Sequence, residues 1–72
     1  MARHIVTLND FAGTVLSTTL ASRHGQLGVY KRLYVEYAVV GGAVRYTVDD
    51  SGTKYDFLSL NAATDYYNDI DV

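Results

Sequence analysis

Residues 29–58 hold three runs of alternating apolar residues separated by two glycine-containing turns, a pattern that leaves little room for anything but an antiparallel meander. Gly41-Gly42 and Ser51-Gly52 suit tight hairpins, because glycine accepts the positive φ such turns need. Pairing across Gly41-Gly42 sets Val39 opposite Val44, Tyr37 opposite Tyr46 and Val35 opposite Val48. Pairing across Ser51-Gly52 sets Val48 opposite Tyr55 and Tyr46 opposite Phe57, and a four-residue loop, Asp49 to Gly52, would keep the same parity. All of these share one face. A slip of one residue would turn the whole set to solvent, so parity is strongly specified. The spacing predicts strands over about Val29–Val40, Ala43–Asp49 and Thr53–Leu58. The first is long, and a bend or bulge is expected near Arg32–Tyr34. Lys31 is the one charged residue on the apolar face, and its ammonium is expected to reach water at the rim.

Leu8, Phe11, Ala12, Val15, Leu16, Thr19 and Leu20 recur at helical spacing and predict a helix over about Leu8 to Ser22. Thr7 or Asn9 would cap it, Asp10 suits its positive end, and Gly25 would stop it. Ser59 is expected to cap a second helix, about Leu60 to Asp71, with Leu60, Ala63, Tyr67 and Ile70 as its inner stripe and Tyr66 turned away. The expectation is one small α+β domain over residues 1–72. It is a three-stranded antiparallel meander with two helices on one face, in the order α-β-β-β-α, with room for a short extra strand over residues 3–7.

The 72 residues include no cysteine and no proline, so neither a disulfide nor a thiolate metal site is expected. No apolar run approaches the ~20 residues of a membrane span, and the start of the chain lacks a signal-peptide core. These features predict a cytoplasmic protein with no membrane contact. The net charge of −2 conceals an asymmetry. Arg3, Arg23, Lys31, Arg32 and Arg45 outnumber Asp10 and Glu36 before residue 49, whereas Lys54 alone faces Asp49, Asp50, Asp56, Asp65, Asp69 and Asp71 after it.

With both helices on the apolar face, the other sheet face is predicted to be open. It would present Tyr30, Arg32, Tyr34, Glu36 and Arg45, with Glu36 diagonal to Arg45 and Asp56 near it. Tyrosine and arginine are enriched at protein–protein hot spots, so this face is the first candidate contact surface. The acidic set Asp49, Asp50, Asp56, Asp65, Tyr66 and Asp69 is the alternative, suited to a basic partner surface. A solvated face with cross-strand charge pairs is the plainer reading of the same residues. His4 and His24 lie outside the three strands with no second ligand at metal spacing, and both read as surface histidines. Asp49-Asp50-Ser51-Gly52 lacks the alternating oxygen ligands of a calcium loop. No nucleophile motif or cofactor fingerprint is present, so neither an enzyme nor a bound cofactor is expected.

The order α-β-β-β-α resembles that of double-stranded RNA-binding domains. That family places lysines at the start of its second helix, where this chain reads Leu60-Asn61-Ala62-Ala63-Thr64-Asp65. An acidic helix there argues against nucleic acid as the partner. In size and composition the chain resembles the small accessory proteins of phages and mobile elements, anti-CRISPR proteins among them. That resemblance implies a non-enzymatic module that inhibits a host enzyme or defence complex in the host cytoplasm. A nucleic-acid-binding domain and a homodimer closed through the open sheet face are the competing expectations.

Overall fold

The computed structural model describes residues 5–72. A short 3-10 turn, Leu8–Phe11, leads into four strands: β1 Val15–His24, β2 Tyr30–Ala38, β3 Val44–Asp50 and β4 Thr53–Phe57. One helix, α1 Leu60–Asp69, follows. The sheet is a continuous antiparallel meander in the order β1-β2-β3-β4. The class is α+β, but with four strands and one helix rather than three and two.

The first predicted helix, Leu8 to Ser22, is a 3-10 turn over Leu8–Phe11 and a strand from Val15. Its apparent helical period has a physical source: Leu20 is an extra residue, since the ladder runs Thr19 opposite Tyr34 and then Ala21 opposite Leu33. This bulge shifts parity halfway along β1, so Leu16 and Leu20 mimic an i, i+4 pair. Thr14, Val15, Thr18 and Thr19 are β-branched, and no neighbouring element offers the burial that would override their extended preference. The bulge expected near Arg32–Tyr34 therefore sits across the ladder from them, in β1. Asp10, expected at a helix dipole, instead accepts a 2.8 Å hydrogen bond from the Thr7 backbone N–H in the leading turn. Ile5–Thr7 form no strand, with Thr7 extended; Arg3 and His4 of the predicted leading strand lie outside the described residues.

Parity within the meander holds, but one register does not. Ala38 N donates to Ala43 O at 2.9 Å, closing a four-residue turn, Val39 to Gly42, in which Gly41 and Gly42 have φ of 92° and 72°. Tyr37 is thus opposite Val44, and Val35 opposite Tyr46, a two-residue shift from the expected pairs. The second hairpin keeps its predicted pairs, Tyr46 with Phe57 and Val48 with Tyr55. Its loop is the two residues Ser51-Gly52, at φ 50° and 101°, because Asp50 still pairs with Thr53.

Ser59 Oγ accepts from Ala62 N at 3.0 Å and starts α1. The helix seats Ala63 on Leu33 and Val48, with Ala21, Tyr46, Phe57, Tyr66, Tyr67 and Ile70 around them. Tyr66 is not turned away as expected: its ring lies 4.9 Å from that of Tyr55 and 5.4 Å from that of Phe57. Lys31 does not reach water either. It is only 6% exposed, and its ammonium donates to the carbonyls of Tyr67 at 2.9 Å and Ile70 at 3.1 Å while lying over the Tyr67 ring. Both carbonyls also accept from backbone N–H groups, Tyr67 O from Ile70 N at 3.3 Å and Ile70 O from Val72 N at 3.0 Å, so the cation is a second partner to each and opposes the negative end of the helix dipole.

The helix reaches only one end of the sheet. The molecule measures 58 × 25 × 16 Å with a radius of gyration of 16.4 Å. A compact domain of this length would have a radius of about 11 Å.

Candidate functional site

Cross-strand pairing sorts the sheet into rows. On the helix face they read Arg23-Lys31-Asp50-Thr53, Ala21-Leu33-Val48-Tyr55, Thr18-Val35-Tyr46-Phe57 and Leu16-Tyr37-Val44. The second row is under α1. Among the described residues nothing lies over the last: Leu16, Tyr37 and Val44 are 46%, 39% and 46% exposed. Phe11, Val39 and Val40, at the same end, are comparably exposed. This is an apolar, aromatic-centred surface at the far end from α1.

On the other face the rows are Ser17-Glu36-Arg45, Thr19-Tyr34-Thr47-Asp56 and Ser22-Arg32-Asp49-Lys54, with His24 beside Tyr30. No helix covers them, as expected, yet this face is largely engaged with itself. Tyr34 and Thr47 are 6% and 1% exposed. The Arg32 guanidinium lies 4.2 Å from the centre of the Tyr34 ring, and its Nε is buried with no hydrogen-bond partner. Asp56 accepts from Thr47 Oγ1 at 3.0 Å and from Arg45 at 3.4 Å. Glu36 is directly opposite Arg45, not diagonal to it. Asp49 is nearly buried and accepts from the Tyr30 hydroxyl at 3.1 Å and from Gly52 N at 2.8 Å. Donating to that carboxylate raises the Tyr30 phenol above its ordinary pKa, since ionisation would lose the bond and place two anions together.

The structure therefore distributes the predicted site residues unevenly. Of the first set, Arg45 projects to solvent, Tyr30, Arg32 and Glu36 are half-buried, and Tyr34 is covered. Of the acidic set, Asp49 and Asp56 are committed to neighbours, and Tyr66 is packed on Tyr55 and Phe57. Asp50 and Asp69, joined by Asp71, border a cleft of about 440 Å³ with Tyr66 and Ile70, whereas Asp65 is exposed on α1 outside it. The basic and acidic stretches do not form two patches, because Lys31 and Arg45 reach into the acidic third. The bare row Leu16-Tyr37-Val44 was missed because Tyr37 and Val44 read as interior by parity, and parity carries no information on how far a ten-residue helix extends.

Among the described residues, no group of three His, Asp or Glu is placed to hold a metal ion, and no helix is long and apolar enough to cross a membrane. Comparison with family models, curated proteins and solved structures finds no match to this chain. The leading helix that underlay the likeness to double-stranded RNA-binding domains is β1, so that likeness has no topology behind it.

Proposed function

We propose that this chain is a non-enzymatic protein-binding module whose contact surface is the bare end of the helix face: Leu16, Tyr37 and Val44, flanked by Phe11, Val39 and Val40. One observation carries this reading. A row of large apolar side chains continues directly from the core yet stays about half exposed. Contiguous exposed apolar surface on a small domain marks an interaction site, and a tyrosine at its centre combines apolar area with a directed hydroxyl. The accessible surface supports the same reading. It is 5483 Å², whereas a monomer of this mass is expected to expose about 4,450 Å². The polar face is the weaker contact surface, because its aromatic and guanidinium groups are stacked and its carboxylates are engaged. Small size, acidity and absence of cysteine and proline favour an inhibitory role against a host enzyme or defence complex, as in anti-CRISPR proteins.

The test is affinity capture from bacterial lysate with the wild type and with Tyr37→Asp. A protein retained by the first and lost with the second, at unchanged circular dichroism, is the expected result. Identical capture by both sinks the assignment of this surface.

A further inference from the structure

β1 is a ten-residue strand at the sheet's edge, exposed along almost all its length. Its backbone has two sides. Ala38 N bonds Ala43 O, and Ser51 N bonds Tyr30 O, so the even-numbered residues of β2 direct their N–H and C=O groups toward β3. The odd-numbered ones face β1, consistent with Val39 N donating to Thr14 O at 3.1 Å. Through the pairing, Leu16, Thr18, Ala21 and Arg23 direct their backbone groups at β2. Val15, Ser17, Thr19 and Ser22 direct theirs outward, where the sheet ends.

Edge strands are ordinarily blunted by lysine, proline, inward charge, brevity or a covering element. From Gly13 to Ser22 this edge has no charged residue and no proline, and among the described residues no other element covers it. Only the bulge at Leu20 interrupts it. The half that precedes the bulge is regular, and Val15, Leu16 and Leu20 stand about half exposed beside it.

We infer that two copies of this chain join edge to edge, β1 against β1 in antiparallel sense, into one eight-stranded sheet. Two observations select a second copy as the occupant and fix its sense. The uncharged segment opposes nothing repulsive to itself. Antiparallel pairing sends the two Arg23 side chains to opposite ends, whereas parallel pairing would set them side by side. The two-fold axis stands perpendicular to the sheet, so both bare rows fall on the same side. The pairing thus goes beyond the protein-binding reading and is independent of it, since it uses backbone groups that the bare row does not.

The experiment is sedimentation equilibrium on the full chain from low-micromolar to near-millimolar concentration. The wild type is expected as a dimer, and Ser17→Pro as a monomer with unchanged circular dichroism. Proline there deletes an N–H that points away from β2, a substitution edge strands accept. Leu20→Lys, which sets a charge on the edge, is the second variant, and whichever keeps the wild-type dichroism decides. Independently of either, the Ser17 amide of the wild type should exchange with solvent at least about tenfold more slowly at high protein concentration than at low. A wild type that stays monomeric throughout overturns the inference. So does a dimer that the folded variants leave intact, or a Ser17 amide whose exchange ignores concentration. Tyr37→Asp is expected to abolish partner capture and leave the dimer in place, which separates the two proposals.

Discussion

Leu33 and Val48 are buried at one end of the sheet, whereas Tyr37 and Val44, on the same two strands and the same face, stand half exposed at the other. The residues are alike in kind, and the strands are continuous between them. What differs is the distance that α1 can reach. The covered end is held by side-chain packing, while the bare end is held by the backbone ladder and by the turn around Gly41 and Gly42. Fold stability and surface for recognition are thus separated along a single sheet, and substitutions should have opposite consequences at its two ends.

Val48→Ala should have the largest effect on stability. It opens a cavity beneath Ala63 and should lower the unfolding free energy by about 2–3 kcal/mol in urea titration. If Val44→Ala costs as much, the contrast between the ends is broken. Lys31→Met keeps the apolar stem but takes the cation away from the Tyr67 and Ile70 carbonyls, which keep only their backbone partners. A loss of about 1–2 kcal/mol is expected, with faster amide exchange confined to α1. Ser59→Ala should cost about 1 kcal/mol and likewise loosen the covered end alone. Val44→Thr, at the bare end, should shift stability by less than about 0.5 kcal/mol. The smallest effect is spectroscopic. In Asp49→Asn the Tyr30 phenolate should form nearer its ordinary pH, read by ultraviolet titration, because the partner that raises its pKa is gone. In the wild type that bond's contribution is complete below a pH of about 10. It is lost as pH rises through the raised value.

The alternation in β2, β3 and β4 was legible because one buried face enforces a strict period of two, and the Ser51-Gly52 turn fixed its register because both residues accept positive φ. The Gly41-Gly42 turn was misjudged by two residues, since a two-residue and a four-residue loop preserve the same parity. β1 was read as a helix because a bulge and an uncovered edge erase alternation and leave leucines four apart. Lys31 looked like a rim residue because strand parity locates a side chain on a face without revealing that a helix C-terminus will lie over it. On the polar face, the residue types were legible, but their mutual burial was not, since stacking of Arg32 on Tyr34 depends on side-chain direction.

The buried contact between Lys31 and the last turn of α1 joins residues 36 and 39 positions apart. Order of synthesis gives this separation a consequence. α1 follows all four strands in the chain, so burial of Leu33 and Val48 waits on an element made after the ladder that carries them. Docking of α1, rather than closure of the ladder, is therefore the step that turns this row into interior.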